Sequence, residues 1–259
     1  MRLAQKIGLV TGASLGMGRA GALRFAREGA AITVVARHAE AVEETVKAIT
    51  SAGGQALGLC GDLCDETFAR RIVDDTVKHF GGLDFVWNNV GHPAPAEFEA
   101  LDLNQFDHAL NINLRTAIAT TSAAIPYLRA RGGGSVLFTA STSGLVGSPF
   151  SPVYSAAKFA IVGLARSLAK RYGHERIRFN VICPGATDTP MLRVFVARPD
   201  QQQTLGLDPE DLIRTRAASN ALGRIAQPDE VANAALFLLS DEASFITGTT
   251  LPVDGGSLA

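Results

Sequence analysis

The sequence predicts one doubly wound α/β domain built around a parallel sheet of seven strands. Short apolar runs alternate with helical patterns from one end of the chain to the other. Most of these runs are apolar on both faces, which is typical of strands in a parallel sheet that helices cover on both sides. A length of 259 residues with 47% hydrophobic and 19% charged residues suits one large core of this kind.

Seven segments have the length and the apolar character of strands. In chain order they are Ile7–Val10, Ile32–Ala36, Ala56–Cys60, Asp84–Asn88, Ser135–Thr139, Arg178–Ile182 and Thr250–Val253. Six segments between them have the apolar spacing of helices, at about Gly16–Glu28, Ala39–Ala52, Asp65–Phe80, Asn104–Arg131, Pro152–Tyr172 and Pro228–Leu239. The first helix is expected to stop at Gly29, because glycine is a natural helix terminator. Repeated strand–helix units with right-handed crossovers give the doubly wound sheet.

One segment, at about 190–218, interrupts this alternation. The stretch from Met191 to Ala218 is polar, carries two prolines and has no strand. We expect it to be a substrate-loop insertion over the carboxyl edge of the sheet, where open α/β folds bind ligands. The rest of 1–259 shows no linker and no internal repeat, so we predict one domain.

Composition and charge exclude several classes of protein. A net charge of −1 and scattered Lys and Arg residues give no basis for binding nucleic acid or an anionic membrane. The chain runs almost directly into a strand, and no apolar run reaches the length of a membrane span, so we expect a cytoplasmic protein. Cys60, Cys64 and Cys183 cannot form a disulfide framework and lack the spacing of a metal site, so we expect free thiols and no metal.

A glycine-rich turn follows the first strand directly, from Thr11 to Gly18. Glycine allows the backbone to turn tightly and to approach a pyrophosphate, which would then lie on the amides of a helix N-terminus. A literal G-x-G-x-x-G occurs at Gly16, Gly18 and Gly21, but the register from Gly12 is more informative because it starts at the strand end. A glycine-rich turn without a ligand is the alternative.

The same residues contain a second motif. Gly12 to Gly16 reads G-x-S-x-G, the nucleophile elbow of α/β serine hydrolases, which would make Ser14 a nucleophile. Two observations weigh against this alternative. The elbow needs an oxyanion loop from an earlier strand, whereas Ser14 follows the first strand. Four of the five histidines lie in helical, surface-like stretches, and His92 has no acid in the required chain order.

Tyr154 and Lys158 place a phenol and an ammonium four residues apart on one face of a predicted helix. Ser151 can cap this helix and Pro152 can occupy its first turn, so Tyr154 would face the strand ends. A free tyrosine has a pKa of about 10, and a nearby fixed cation lowers it. The phenol could then give a proton to a carbonyl oxygen or remove one from an alcohol. The alternative is a packing tyrosine beside a solvated lysine.

Two further polar groups are expected at the same edge of the sheet. Ser141 follows the fifth predicted strand, where its hydroxyl could hydrogen-bond the reacting oxygen or simply cap a turn. The fourth strand ends in Asn88-Asn89-Val90-Gly91, which on its own indicates only a polar turn.

Together these motifs resemble the short-chain dehydrogenase/reductase family, in particular members like the 3-oxoacyl-acyl carrier protein reductases, and the resemblance covers nearly the whole chain. The matching stretches are Thr11–Gly18, Asn88–Gly91, Asn113, Ser141, Tyr154–Lys158, Pro184–Thr189 and the C-terminal Thr247–Gly256. Two positions depart from the family pattern. Val90 replaces the usual alanine, and Thr187 stands where an aliphatic residue is common.

The resemblance implies a Rossmann-type domain that transfers a hydride between a nicotinamide cofactor and a ketone or secondary alcohol. In that mechanism Ser141 orients and polarises the carbonyl, and Tyr154 donates the proton. Lys158 lowers the pKa of Tyr154 and hydrogen-bonds the nicotinamide ribose, while Asn113 holds a water that links Lys158 to solvent. A non-catalytic NADP-binding regulator is a further hypothesis, and the presence of all four of these residues weighs against it.

The resemblance also assigns a cofactor site. Its expected residues are Gly12, Ser14, Leu15, Gly16, Met17, Gly18, Arg37, Asp62, Leu63, Asn89, Gly91, Tyr154, Lys158, Pro184, Gly185, Thr187 and Thr189. Asp62 would contact the adenine amino group and Asn89 the adenosine ribose region, while Thr187 and Thr189 would contact the carboxamide.

The end of the second strand predicts a preference for NADP, with NAD possible. Dehydrogenases that select NAD usually place Asp or Glu there. This chain has Ala36 followed by Arg37, whose planar guanidinium can pair with a 2′-phosphate. Leu15 weighs against the preference, because many NADP-preferring relatives carry a basic residue in the glycine loop.

Two nearly uncharged helices predict a homotetramer, or at least a homodimer. Lys158 is the only charge between Pro152 and Leu164, and Arg115 is the only charge between Ala109 and Leu128. A helix that is apolar on nearly every face is buried on nearly every face, yet the sheet covers only one. The substrate is expected to be a small molecule, a hydrophobic ketone or secondary alcohol, because the residues expected around it are mixed apolar.

Overall fold

The computed structural model describes residues 1–198, 200–201 and 204–259 and contains one seven-stranded parallel sheet. Its strands are β1 (Ile7–Thr11), β2 (Ala31–Ala36), β3 (Gln55–Cys60), β4 (Phe85–Asn88), β5 (Gly134–Thr139), β6 (Ile177–Pro184) and β7 (Thr250–Val253). All neighbouring strands pair in parallel, in the order β3-β2-β1-β4-β5-β6-β7. The predicted fold class and each predicted strand are confirmed, with ends displaced by at most two residues.

The helices of the described residues lie between these strands. They are α1 (Gly16–Arg27), α2 (Ala39–Ser51), α3 (Glu66–Phe80), α4 (Leu103–Leu110), α5 (Thr116–Ala130), α6 (Pro152–Tyr172), α7 (Pro190–Val196), α8 (Pro209–Ser219) and α9 (Pro228–Leu239). The predicted helix Asn104–Arg131 is not one regular α-helix. A π-helical turn at Asn111–Arg115 separates α4 from α5 and contains Asn113.

The insertion contains two helices that the apolar pattern did not predict. Thr189 caps α7 by accepting a hydrogen bond from Leu192 N at 3.3 Å, and Asp208 caps α8 by accepting one from Glu210 N at 2.9 Å. A proline occupies the first turn of each helix, at Pro190 and Pro209, which is the residue order typical of helix starts. Both helix starts could therefore have been predicted from the sequence.

The order of the strands reverses direction between β1 and β4, and this creates a crevice at their carboxyl ends. Helices α3, α5 and α6 supply one buried cluster and α1, α2 and α9 another, because alternate side chains of a strand point to opposite faces. Close packing fixes α1 on the sheet. A Cβ on Gly21 would lie 2.1 Å from Cζ3 of the buried Trp87, so only glycine allows α1 to lie this close to the sheet.

Candidate active site

The glycine loop turns from β1 into α1 in a conformation that depends on glycine. Gly12 and Gly16 have φ angles of 64° and 52°, in the left-handed region that favours glycine. A Cβ on Gly18 would lie 2.2 Å from the Gly12 carbonyl oxygen, so the helix can start this close to the strand only with glycine there. The first amides of α1 have no partner inside the helix and lie beside a cleft, which is an arrangement that binds anions.

A cleft of about 300 Å³ runs along the crevice between β1 and β4. It is lined by these predicted cofactor residues: Gly12, Ser14, Leu15, Gly16, Met17, Arg37, Asp62, Leu63, Asn89, Gly91 and Thr189. An inner pocket of about 130 Å³ shares residues with it and is also lined by Tyr154, Lys158, Pro184, Gly185 and Thr187. Gly18 lines neither space, and it contributes by packing closely against the Gly12 carbonyl oxygen beneath the loop. With an anion-binding loop in the middle and polar groups at the inner end, these residues fit a nicotinamide dinucleotide.

The outer end of the cleft contains the residues predicted to select the cofactor. Ala36 ends β2 and is buried, and Arg37 is exposed along the cleft wall. Within the described part of the chain no carboxylate forms an ion pair with the Arg37 guanidinium. Asp62 lies on the same wall, where its Oδ1 accepts a hydrogen bond from Cys64 N at 2.9 Å.

The inner pocket brings Ser141, Tyr154 and Lys158 together. Ser141 follows β5, and its hydroxyl hydrogen-bonds the Tyr154 phenol and also accepts from Ser143 N at 3.1 Å. Lys158 Nζ donates to the Thr139 carbonyl oxygen at 3.1 Å and lies 5.4 Å from the centre of the Tyr154 ring. Ser141 therefore serves as a turn cap and also contacts the tyrosine.

The sequence predicted that the Ser151 side chain caps α6, but the structure shows no such cap in the residues it describes. Ser151 occupies the N-cap position, but its hydroxyl donates to Ser148 Oγ at 3.2 Å. The reason is a turn in which Ser151 N donates to the Ser148 carbonyl oxygen at 3.3 Å and brings the two hydroxyls together. Pro152 lies in the first turn as predicted, and Tyr154 follows it.

Burial dominates the protonation of this pocket. It raises the pKa of Tyr154 to about 12, against the opposing effect of the hydrogen bond with Ser141. Burial also lowers the pKa of Lys158 to about 8. The expected lowering of the tyrosine pKa by Lys158 is therefore not found, because loss of solvent outweighs a cation that lies over the ring. At neutral pH the phenol holds its proton and the lysine is charged.

Asn113 joins the pocket from the π-helical turn. Its Oδ1 accepts from His92 N at 3.1 Å, and its Nδ2 donates to the carbonyl oxygens of His92 at 3.0 Å and Ala109 at 2.9 Å. A Cβ on Gly91 would lie 3.2 Å from both Asn113 Oδ1 and Lys158 Nζ. Gly91 thus leaves a narrow space between the amide and the ammonium.

Asn89 connects the strands at the crevice. Its backbone N donates to Thr11 Oγ1 at 3.0 Å, and its Oδ1 accepts from Thr139 Oγ1 at 3.2 Å. Asn88 points the other way and donates to Thr121 Oγ1 at 3.0 Å. The sequence had not identified Thr139 as part of the site, although its place at the end of β5, two residues before Ser141, was a usable signal.

The two threonines after β6 use their hydroxyl groups locally. Thr187 Oγ1 donates to the Gly185 carbonyl oxygen at 3.2 Å, and Thr189 Oγ1 donates to the Thr187 carbonyl oxygen at 3.3 Å. Both residues line the inner pocket beside Pro184 and Gly185. These bonds hold both side chains against the backbone of their own segment.

The insertion contributes Met191, Leu192, Phe195 and Arg216 to the inner pocket, and none of these residues had been singled out from the sequence. The Phe195 ring lies 5.4 Å from the Tyr154 ring, centre to centre, in an edge-on arrangement. They were not recognised individually because no helices were predicted in this segment, so no side chain could be assigned to a helix face.

Ser14 lacks the surroundings of a hydrolase nucleophile. It is buried in the glycine loop, and no hydrogen bond joins it to a histidine among the residues that the structure describes. The G-x-S-x-G motif is here part of the turn that aligns α1 with the cleft. In the same described residues, no helix combines the length and the apolar character needed to cross a membrane.

Comparisons with known proteins agree over the full length of the chain. A family model described as enoyl-(acyl carrier protein) reductase matches residues 12–257. The cis-4-hydroxycyclohexanecarboxylate dehydrogenase of Sinomonas cyclohexanicum is 36% identical over 257 residues, which cover 99% of this chain and 98% of the relative. The A-factor type gamma-butyrolactone 1'-reductase of Streptomyces virginiae is 38% identical, with 98% and 96% covered. The structure of levodione reductase superimposes with a TM-score of 0.93 at 34% identity, and 100% of each chain is covered.

Proposed function

Because the chain belongs to the short-chain dehydrogenase/reductase family of oxidoreductases, we propose that it interconverts a ketone and a secondary alcohol with NADP(H) as the preferred cofactor. The observation that carries this proposal is the grouping of Ser141, Tyr154 and Lys158 at the inner end of the glycine-lined cleft. The named relatives include dehydrogenases and reductases of small molecules, which supports the reaction class.

Ser141 and Tyr154 would hold the reacting oxygen from the protein side. A bound nicotinamide supplies the hydride in reduction and accepts it in oxidation. The Ser141 hydroxyl orients the carbonyl by hydrogen bonding, and the Tyr154 phenol gives its proton to the oxygen as negative charge develops there. A phenol with a pKa of about 12 holds that proton throughout the neutral range.

Lys158 and Asn113 would act behind the tyrosine. With a pKa of about 8 the Lys158 ammonium is mostly charged at pH 7, and its place beside the Tyr154 ring favours the phenolate left by proton transfer. It would also hydrogen-bond the nicotinamide ribose. Asn113 holds the loop at His92 and borders the space next to the ammonium, where a water could pass protons to solvent.

Arg37 supports the cofactor preference. Its guanidinium lies on the outer wall of the cleft without an ion-pair partner in the described residues, while the preceding Ala36 offers no carboxylate to ribose hydroxyls. A 2′-phosphate would supply the missing negative charge. The glycine loop and Asp62 would hold the rest of the dinucleotide.

The exposed face of α5 and α6 supports a homotetramer, or at least a homodimer. Ile118 and Phe159 are 42% and 45% exposed on these helices. A Cβ on Gly163 would meet nothing within 4 Å, so this part of α6 can be approached closely. A second copy of the chain would bury this apolar surface.

The proposal is tested by turnover. Purified protein is assayed for oxidation of NADPH and NADH across cyclic ketones, β-keto esters, quinones and steroids, with the reverse reaction measured on the matching alcohols. We expect ketone-dependent oxidation of NADPH. Tight NADPH binding without turnover of any of these compounds would favour a non-catalytic regulator, and ester cleavage without nicotinamide would revive the Ser14 hydrolase.

A further inference from the structure

An arginine lines the inner pocket beside the reacting groups. Arg216, on α8, shares this pocket with Ser141, Tyr154 and Phe195. Its guanidinium carbon lies 5.9 Å from the centre of the Phe195 ring, which is 5.4 Å from the centre of the Tyr154 ring. Together these distances place the guanidinium carbon no more than 11.3 Å from the centre of the tyrosine ring. A small molecule that contacts Tyr154 can therefore also contact Arg216.

Arg216 differs from its neighbours in having no counter-charge. Arg193 pairs with Asp188 and Glu210 at 2.7 and 2.9 Å, Arg214 with Asp211, and Arg224 with Glu230 at 2.7 Å. No carboxylate lies within 4.0 Å of the Arg216 guanidinium in residues 1–198, 200–201 and 204–259. Pro199, Gln202 and Gln203, the residues outside these ranges, carry no carboxylate.

The surroundings make this unpaired charge costly. Arg216 is half-buried, and burial lowers the pKa of its guanidinium. A second cation lies over the same ring, since the Arg198 guanidinium carbon is 5.0 Å from the centre of Phe195. Asp200 is the acid near this pair, at 3.9 Å from Arg198 Nε. A half-buried cation without a partner is stabilised when an anion reaches it.

In the part of the chain that the structure describes, the guanidinium of Arg198, unlike that of Arg216, is engaged in hydrogen bonds with the backbone. Its two terminal nitrogens donate to the carbonyl oxygens of Ala94 and Phe150. It therefore joins the insertion to the loops after β4 and β5. No such bond engages the guanidinium of Arg216 among the described residues, so its donors are available to a ligand in the pocket.

We propose that Arg216 binds an anionic group of the substrate, so that the substrate class is a ketone or secondary alcohol with a carboxylate several bonds from the reacting carbon. This deepens the proposed function and rests on it for the identity of the reacting carbon. The planar guanidinium provides paired donors that match a carboxylate. Phe195 forms the apolar wall between the two ends of the substrate.

The kinetic test compares an acid with its uncharged analogue. The ratio of kcat/KM for 4-oxocyclohexanecarboxylate to that for its methyl ester is measured with NADPH for wild type, Arg216→Met, Arg216→Lys and Arg214→Met. In Arg216→Met the ratio should fall about ten- to a hundredfold, the range of a charge-assisted hydrogen bond, mainly through KM of the acid. In Arg216→Lys the acid-to-ester ratio of kcat/KM should lie between the wild-type ratio and that of Arg216→Met. Arg214→Met removes a charge from the same helix outside the pocket and should keep the wild-type ratio.

A binding test does not require turnover. Cyclohexanecarboxylate should raise the Tm of the wild type and of Arg214→Met but not that of Arg216→Met, and cyclohexanecarboxamide should raise none of them. This result in a protein that turns over no ketone would keep Arg216 as a carboxylate-binding residue and reject the proposed function, and with it the ketone or alcohol at the other end of the ligand. An unchanged acid-to-ester ratio in an active Arg216→Met would overturn the inference alone. A weakened Kd for NADPH in Arg216→Met, with unchanged carboxylate binding, would overturn it too, because Arg216 would then serve a cofactor phosphate.

Discussion

The ammonium of Lys158 lies 5.4 Å from the centre of the Tyr154 ring, and burial raises the pKa of the tyrosine to about 12 while it lowers that of the lysine to about 8. Both side chains are buried away from water in the same pocket, so the pKa of each is shifted in the direction that favours its neutral form. The lysine nevertheless remains charged at pH 7. The site therefore contains a protonated acid next to a buried cation whose charge reduces the stability of the fold.

Replacement of Tyr154 by Phe should abolish nearly all turnover, because the variant lacks the proton donor and retains the ring packed on Phe195. NADPH affinity and Tm should stay close to those of the wild type. The assay is kcat with the best ketone, together with fluorescence titration of NADPH. A variant with more than about a tenth of wild-type kcat, a loss of only ~1.4 kcal/mol in transition-state stabilisation, would contradict the proton-transfer role. Ser14→Ala serves as the control and should retain turnover.

Replacement of Lys158 by Met should raise stability at pH 7 and lose turnover. The lysine pKa is about 8 in the folded protein and 10.5 when the side chain is free in water, so between these values the unfolded state binds more protons and wild-type stability rises with pH. The penalty is complete below pH 8 and amounts to about 3 kcal/mol. Loss of the bond to the Thr139 carbonyl offsets about 1 kcal/mol.

The measurement is the Tm difference between Lys158→Met and wild type at pH 7 and pH 9.5. The variant should melt a few degrees higher at pH 7, and the difference should shrink at pH 9.5 as the wild-type penalty disappears. A Lys158→Met protein that is less stable than wild type at pH 7, or an advantage that grows with pH, would contradict this account.

Replacement of Gly91 by Ala should lower kcat at least about tenfold while the protein stays folded. The added Cβ would lie 3.2 Å from Asn113 Oδ1 and from Lys158 Nζ, so one of these groups must move. Overpacking of this kind costs about 1–3 kcal/mol. Gly173→Ala is the matched control, because a Cβ there meets nothing within 4 Å. Equal kcat values for the two variants would show that the spacing around Lys158 is unimportant.

The part of the site formed by the sheet was predictable because local signals specify it. Strand ends, the glycine turn and the spacing of Tyr154 and Lys158 act over a few residues, and parallel pairing then brings the strand ends to one edge. The direction of the pKa shifts was not predictable. It depends on how deeply Tyr154 and Lys158 are buried, and that burial is produced by packing from distant segments such as Phe195.

The two helices of the insertion were not predicted, because their apolar spacing is weak and only the caps at Thr189 and Asp208 indicate them. Arg216 was therefore not assigned to any part of the site. The spacing of charges along α8 was a usable signal for the difference between Arg214 and Arg216. Asp211 precedes Arg214 by three residues and pairs with it, whereas the residues three and four positions from Arg216 are Leu212, Ile213, Ser219 and Asn220, none of which is acidic.

Replacement of Phe159 by Glu should reduce the size of the assembly. Phe159 is 45% exposed on α6, within a face that a second copy is proposed to cover, and a carboxylate there would be desolvated without a partner. Light scattering coupled to size exclusion at micromolar concentration should give a tetramer for wild type and a smaller species for the variant. Leu205→Glu, on the insertion, should leave the mass unchanged. A monomeric wild type would contradict the proposed assembly.

The preference for NADP(H) depends on Arg37 and on the absence of an acid at Ala36. A charge-assisted contact between the guanidinium and a 2′-phosphate contributes roughly 1.5–3 kcal/mol, or about ten- to a hundredfold in affinity. The test is the ratio of kcat/KM with NADPH to that with NADH for wild type, Ala36→Asp, Arg37→Ala and Arg27→Ala. Wild type should favour NADPH, and the first two substitutions should move the ratio toward NADH.

Arg27→Ala separates a specific contact from a general effect of charge. Arg27 is an exposed arginine at the far end of α1 and does not line the cleft, so its loss should leave the ratio unchanged. Ala36→Asp should act more strongly than Arg37→Ala, because it adds an acceptor for the ribose hydroxyls and also repels the phosphate. A wild type that prefers NADH would reject the cofactor assignment and leave the oxidoreductase reaction standing, since Ser141, Tyr154 and Lys158 act at the opposite end of the cleft.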